Sequence, residues 1–379
     1  MTPAPGDESS DRTWGPELDE LRSRGVLAEN MGGEEKVQRQ HDRGKLDVRQ
    51  RIEALLDAGS FHEIGKIAGT PTYDGEGNLA DLRASNFVFG RGRIDDRTVV
   101  VAADDFTVRG GAADASIITK QIAAEQMALE LRLPLIRLID GTGGGGSVKT
   151  LDSDPKKQSE NSTGASGRGA RTYVPANPGW EHVVANLATV PVVALCLGPV
   201  AGLGAARAVS SHYSVMVRGL SQLFVAGPPV VNRLGLEEVD KESLGGSGIH
   251  TRNGAVDDEV ASEEEAFESA RRFLSYLPSS VHELPERGPA TDDPQRTDDS
   301  LLDVVPRDRR QVYRMRDILE SVLDQGSFFE MGARFGRSAI TGLARLDGWP
   351  VAVLAGDPYH YGGGWTAAAS QKVTRFVDL

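Results

Sequence analysis

At 379 residues the chain exceeds the usual span of one hydrophobic core, and 39% hydrophobic residues is enough to fill two. A net charge of −13 argues against a nucleic-acid partner, whose phosphates demand a basic surface, and leaves capture of any phosphate-bearing ligand to local patches. No run approaches the roughly 18 apolar residues that a membrane span requires, the stretch Met1 to Gly15 is polar and acidic rather than a secretory signal, and the single cysteine, Cys196, excludes disulfides and cysteine-based zinc sites; a soluble, cytoplasmic protein is expected.

Residues 1–36 read as a polar, partly helical extension, followed by a first domain over 37–278. Between Thr98 and Val225 short apolar runs alternate with helical stretches: Thr98 to Ala103, Leu135 to Asp140, Pro191 to Leu197 and Ser214 to Val217. This alternation predicts an α/β domain with largely parallel pairing. Ile117, Ala124, Met127 and Leu131 stand at the spacing of a crossover helix between the first two runs. Cys196 lies inside the third run, as a small buried hydrophobe would. Ser262 with Glu265 opens a further helix that Pro278 stops, and the Pro/Asp/Arg-rich stretch that follows, over 279–311, reads as a connector.

The segment over 312–379 repeats the plan of the first domain. Leu55-Leu56-Asp57-Ala58-Gly59-Ser60-Phe61-His62-Glu63-Ile64-Gly65 recurs as Val322-Leu323-Asp324-Gln325-Gly326-Ser327-Phe328-Phe329-Glu330-Met331-Gly332, with seven of eleven positions identical. Arg93, Asp95, Val99, Val101, Ala103 and Asp105 then match Arg345, Asp347, Val351, Val353, Ala355 and Asp357 at constant spacing, and Gly110, Gly111 and Lys120 match Gly362, Gly363 and Lys372. A full second copy would carry the chain to roughly 530 residues, so the second domain is expected to be incomplete.

Two of the predicted strand ends are glycine-rich, which lets backbone N–H groups approach a ligand with no Cβ between. One is Asp140-Gly141-Thr142-Gly143-Gly144-Gly145-Gly146-Ser147. The other, Gly198-Pro199-Val200-Ala201-Gly202-Leu203-Gly204-Ala205, opens a helix whose free N–H groups and dipole suit an oxyanion. Either loop alone is equally a turn that permits close packing; after consecutive strands the pair favours a thioester enolate site. The seven histidines have no metal-ligand spacing, and Ser60 and Ser327 lack a nucleophile-elbow context, so neither a metal site nor a serine nucleophile is expected.

The paired loops resemble the crotonase superfamily, and longer motifs narrow the resemblance. Gln40-His41-Asp42-Arg43-Gly44-Lys45-Leu46-Asp47-Val48-Arg49-Gln50-Arg51-Ile52, Asp104-Asp105-Phe106-Thr107-Val108-Arg109-Gly110-Gly111-Ala112, Leu223-Phe224-Val225-Ala226-Gly227-Pro228-Pro229 and Phe273-Leu274-Ser275-Tyr276-Leu277-Pro278 are similar to the carboxyltransferase (beta) subunits of biotin-dependent acyl-CoA carboxylases. The resemblance implies an α/β fold of two crotonase-like ββα domains, the second incomplete here. It implies carboxyl transfer from carboxybiotin, borne on a separate biotin carboxylase or carboxyl carrier (alpha) subunit, to a short acyl-CoA, in a homo-oligomer that is commonly hexameric. By resemblance, Gly202 and Leu203 face the thioester oxygen, with Gly144 and Gly145 in the partner loop. Gly110, Gly111 and Ala112 belong to the CoA side, and Gly362 and Gly363 to the biotin side. Leu203 stands where the family usually has glycine. A Gly run and the Ser/Gly-rich stretch over 149–177 replace the family's Asp-Ser-Gly-Gly-Ala-Arg motif; Lys149, Arg168 and Arg171 there either lie on a solvated loop or meet the CoA phosphates. The rival expectations are a shortened, non-catalytic partner of a complete subunit and a crotonase-type CoA hydrolase, isomerase or decarboxylase.

Overall fold

The structure, a computed structural model, describes residues 14–112, 117–141, 179–235, 238–290, 292–293 and 295–379. Its centre is an eight-stranded sheet. Strand β1 (His62–Ile64) pairs antiparallel with β4 (Phe87–Ile94), and β4 antiparallel with β5 (Arg97–Asp104). From β5 the sheet runs parallel through β6 (Leu135–Gly141), β7 (Val192–Ala201), β8 (Tyr213–Val217) and β10 (Asp258–Val260), while β9 (Gln222–Phe224) lies beside the end of β7. The hairpin of β2 (Gly69–Tyr73) and β3 (Leu79–Ala84) stands apart. The four apolar runs read from the sequence are β5, β6, β7 and β8, and they pair in parallel as expected.

Burial on both faces explains why these strands read as almost unbroken hydrophobic runs. One face packs Ile136, Leu138, Val193 and Val215 against α3 (Val48–Leu55) and the helix Glu263–Ser275, here α10. The other packs Leu135 and Val192 against Ala124 and Ala128 of the expected crossover helix α4 (Ile118–Leu131), and Ile139 and Cys196 against Ala208. Helix α10 begins as the sequence suggests: the Ser262 hydroxyl accepts the Glu265 N–H at 3.2 Å. No helix among the described residues is long and apolar enough to cross a membrane.

The internal repeat is reproduced bond for bond. In the first copy Asp57 accepts the N–H groups of Asp95 and Asp96 at 3.1 and 2.9 Å, and Ser60 Oγ accepts that of Arg93 at 3.0 Å. In the second, Asp324 accepts those of Asp347 and Gly348, both at 2.8 Å, and Ser327 Oγ that of Arg345 at 3.1 Å. Each carboxylate thus fixes the hairpin turn joining the two long strands, β4 to β5 in one copy and β12 (Ala339–Leu346) to β13 (Trp349–Gly356) in the other. The correspondence reaches further back than the matched sequence, since Arg49 pairs with Glu63 at 3.0 Å as Arg316 pairs with Glu330 at 2.6 Å.

The second copy also contains β11 (Phe329–Met331), α11 (Met315–Val322) and α12 (Ala367–Val377). It shares the first copy's core: Phe329, Met331 and Leu343 join the cluster of Tyr213, Phe273 and Tyr276, with the Phe329 ring edge-on to Tyr213 at 5.2 Å. Helix α10 is the hinge-pin of this arrangement. Arg271 donates to the carbonyls of Ala54 and Leu55 in the first copy, and Arg272 to those of Gly326 and Phe328 in the second. Because Phe329 belongs to a core that both copies build, Phe329→Ala should cost about 3 kcal/mol, measured as a lower urea midpoint of one shared transition; a separate early transition for residues 312–379 would contradict the shared core.

Candidate functional site

The parallel strands point their C-terminal ends at one edge of the sheet, the usual place for a ligand in an open α/β fold. Three turns meet that edge. After β5, Asp105 Oδ1 accepts the Thr107 N–H at 2.8 Å and its hydroxyl at 2.6 Å, and Thr107 Oγ1 accepts the N–H of Gly32 at 2.9 Å. The chain then takes three consecutive left-handed residues, Arg109 (φ 53°), Gly110 (φ 65°) and Gly111 (φ 70°), before the buried Ala112, whose carbonyl accepts from Asn86 at 2.8 Å. The glycine turn after β6 lies directly against it, since a Cβ on Gly141 would come within 2.9 Å of Gly111 Cα and 3.2 Å of the Gly110 carbonyl. Gly110, Gly111 and Ala112 are thus packed onto the start of the first glycine loop. Gly144, Gly145, Lys149, Arg168 and Arg171 lie outside the described residues.

The third turn ends β7. Gly202 takes φ 65° and ψ −129°, and helix α6 (Leu203–Val209) starts behind it. The Gly202 N–H is donated to the Phe224 carbonyl at 3.0 Å, extending the β7–β9 ladder by one residue, so it is not available to a ligand. Of the expected pair, Gly202 and Leu203, the first is thus engaged within the sheet. The N–H groups of Leu203, Gly204 and Ala205 have no acceptor among the described residues, and the first intrahelical bond is Ala206 to Gly202 at 3.2 Å. The Leu203 side chain is half-exposed beside these donors.

Beneath the turns lies a buried ionic cluster that the sequence motifs mark but do not explain. Asp140, the last side chain before the first glycine loop, is fully buried, and its Oδ2 accepts from Lys45 at 2.5 Å, Arg51 at 2.8 Å and Gln40 at 3.2 Å. Arg51 also holds Glu263 at the start of α10, at 2.5 Å, and the Leu197 carbonyl at 3.0 Å. A Cβ on Gly198 would overlap Asp140 Oδ1, which is why β7 carries glycine there. Burial lowers the Lys45 ammonium below its ordinary value, against the pull of Asp140. The motif Gln40 to Ile52 thus supplies three donors to one carboxylate and its own capping box, Asp47 with Gln50. The sequence signals for this cluster are separate: two cations, Lys45 and Arg51, in one motif, and, about ninety residues later, an apolar strand that ends in Asp140.

In the second copy, Tyr361 (φ 54°), Gly362 (φ 63°) and Gly363 (φ 79°) reproduce the left-handed run of the first. Asp357 Oδ1 accepts the Tyr359 N–H at 3.0 Å, as Asp105 does that of Thr107. Among the described residues no hydrogen bond or ion pair brings Gly362 or Gly363 to the first-copy turns. His212 is a structural residue: Nδ1 accepts the Val192 N–H and Nε2 donates to the Leu187 carbonyl, each at 3.0 Å. Cys196 is enclosed, its thiol pushed up to about 12 by burial.

Burial raises the Asp105 carboxyl to about 6, opposed by the two Thr107 hydrogen bonds. A folded pKa above the ordinary carboxylate value means that folding is penalised progressively as pH rises from about 4 to 6 and by a constant amount above. Asp105→Asn keeps an acceptor for the Thr107 N–H and cannot ionise. Its stability relative to the native chain should therefore shift in its favour by about 2 to 3 kcal/mol between pH 4 and 7, read from urea unfolding at each pH; a pH-independent difference would contradict the buried, raised carboxyl.

Comparison with known proteins agrees with this architecture. The model of the carboxyl transferase domain family matches residues 39–379. The chain is 33% identical over 361 residues to the propionyl-CoA carboxylase carboxyltransferase subunit of Haloferax mediterranei, covering 95% of this chain and 66% of that one. It is 32% identical over 363 residues to the propionyl-CoA carboxylase beta chain of Roseobacter denitrificans, covering 95% and 67%. The solved structure of transcarboxylase 12S, a hexamer assembly with methylmalonyl-coenzyme A bound, superposes with a TM-score of 0.79 at 27% identity, over 96% of this chain and 67% of that one. The chain spans about two thirds of the length of these relatives. With a crotonase-like α/β fold and a family match that begins one residue before the Gln40 motif and runs through both copies of the repeat, this chain belongs to the carboxyl transferase family.

Proposed function

We propose that this chain is the carboxyltransferase component of a biotin-dependent acyl-CoA carboxylase, acting on a short acyl-CoA within a homo-oligomer, hexameric like transcarboxylase 12S, and served by a separate biotin-bearing subunit. The observation that carries the reading is the stacking of glycine turns at the C-terminal ends of adjacent parallel strands, in a chain of this family. Residues 37–278 form the acyl-CoA unit, and 312–379 belong to the unit that faces biotin through the Gly362–Gly363 turn, with 279–311 between them.

The residues present suit a thioester. The N–H groups of Leu203 and Gly204, unpaired among the described residues, are the donors for the thioester oxygen, where charge develops as the α-carbon loses its proton. Gly110 and Gly111 provide a backbone wall without side chains for the CoA arm, with the buried Ala112 behind them. Gly144 and Gly145 are candidates for the facing loop, and Lys149, Arg168 and Arg171 for the CoA phosphates by their charge. Carboxybiotin, when bound, supplies the carboxyl group and a ureido nitrogen able to accept the α-proton. Among the described residues, the carboxylates near the turns are committed elsewhere: Asp140 to Lys45 and Arg51, Asp104 to Arg207, and Asp105 to Thr107. That commitment separates this site from a crotonase-type hydrolase, which needs a carboxylate free to work on water. Leu203 narrows the mouth beside the donors and favours small acyl groups.

The test is the reverse half-reaction on the 379-residue chain: methylmalonyl-CoA plus free biotin giving propionyl-CoA and carboxybiotin. Formation of propionyl-CoA only when biotin is present is the expected result; biotin-independent release of free CoA or CO2 would overturn the reading. Leu203→Gly keeps the backbone donor and should raise kcat/KM for acyl-CoA longer than propionyl by about tenfold relative to propionyl-CoA, measured by competition between the two substrates.

A further inference from the structure

The second and third turns arise from different strands, and one side chain touches the supports of both. Asp104 closes β5 and is buried. Its Oδ2 accepts the backbone N–H of Asp140, the residue that leads into the first glycine loop, at 3.3 Å. Its Oδ1 accepts from the guanidinium of Arg207, on the helix that begins at Leu203, at 3.3 Å. Arg207 is itself buried, with its guanidinium 5.6 Å from the centre of the Phe87 ring. The C-terminal end of the same helix is tied down separately: Arg137 donates to the carbonyls of Arg207 and Ser210 at 3.0 and 2.5 Å while paired with Glu125 at 2.8 Å. Arg137 therefore fixes the tail of α6, and Asp104 fixes its body relative to the end of β6.

We propose that Asp104 is a positioning residue that holds helix α6 against the end of β6, and so sets where the Leu203 and Gly204 N–H donors stand. The inference rests on the proposed carboxyltransferase reading. The repeat supplies the contrast: β4 and β5 pair Phe87 with Asp104, whereas β12 and β13 pair Ala339 with Gly356 at the equivalent register. The strand pair folds without a carboxylate at this place, so the acid serves the first copy's turns rather than the hairpin. Burial raises the Asp104 carboxyl and Arg207 opposes that rise, as expected of an ion pair enclosed by protein.

A double-mutant cycle on the full 379-residue chain tests the link. With methylmalonyl-CoA and free biotin, Asp104→Asn and Arg207→Gln should each lower kcat about tenfold or more while KM for methylmalonyl-CoA stays within about threefold, because misplaced donors weaken the transition state more than the ground state. The double variant should be no slower than the slower single one, and Arg207→Lys should recover part of the rate. Losses that multiply, or full kcat with only a lower Tm, would overturn the proposal. If the native chain itself transfers no carboxyl group, the functional reading fails at that point, and hydrogen exchange still decides the link. Arg207→Gln should then speed exchange at the Asp140 amide, across the sheet from the substitution, and Asp104→Asn at the amides of Ala206 to Ser210. Faster exchange confined to the substituted side would refute it.

Discussion

The fully buried carboxylate of Asp140 is the constraint on which the rest of the site depends. Three donors from the segment 40–51 converge on one of its oxygens, and Arg51 passes the connection on to Glu263 and to the carbonyl of Leu197. Lys45 and Arg51 together neutralise Asp140 and Glu263, so the cluster is tolerable inside a protein only as a whole. Removing one partner of such a group leaves an uncompensated buried charge and costs on the order of 3 to 5 kcal/mol, whereas apolar replacements of the whole set can be neutral. The cluster is therefore better understood as a means of placement than as a source of net stability. What it places is the end of β6, the start of α10 and the N-terminal segment, all beneath the first glycine turn.

The duplicated plan uses a second, smaller device twice. Asp57 and Asp324 each accept two N–H groups from a hairpin turn, and each is followed by a left-handed glycine, Gly59 or Gly326, that lets the chain reverse. These bonds span 38 and 39 residues in the first copy and 23 and 24 in the second, so the device has been kept although the segment between its parts differs in length. The copies differ in what surrounds them. In the first, β5 continues into a parallel sheet covered on both faces; in the second, β13 is an edge strand that leaves Trp349 and Leu354 half-exposed on opposite faces, and Phe329, Met331 and Leu343 of β11 and β12 are covered by α10 and β8.

Features carried by local chemistry were legible in the sequence. The four apolar runs became four adjacent parallel strands, Ser262 capped its helix, and the repeat was visible in Asp, Gly and Ser at turn positions. Features created by tertiary contact were not. The short strands β9 and β10 carry too few residues to show a period, and the engagement of the Gly202 amide by Phe224 depends on β9 lying beside β7. The pairing of Arg49 with Glu63, repeated by Arg316 with Glu330 at the same spacing of fourteen, escaped the sequence comparison because the two arginines stand six residues before the matched block, although the glutamates lie inside it. The Gln40 to Ile52 motif was recognisable as a family signature, but its role needed the partner at position 140, far away in the chain.

Strand β6 carries two charges on opposite sides of the sheet. Arg137 points to the face of α4 and finds Glu125, and Asp140 points to the face of α3 and finds Lys45 and Arg51. Neighbouring aliphatic residues are nearly interchangeable, so for them alone a slip of one residue along β5 or β7 would cost little beyond packing. For this strand the slip would turn both ions to the wrong wall, each facing hydrocarbon with its counter-ion on the far side. The two charges thus act as a key that admits one alignment of an otherwise greasy central strand.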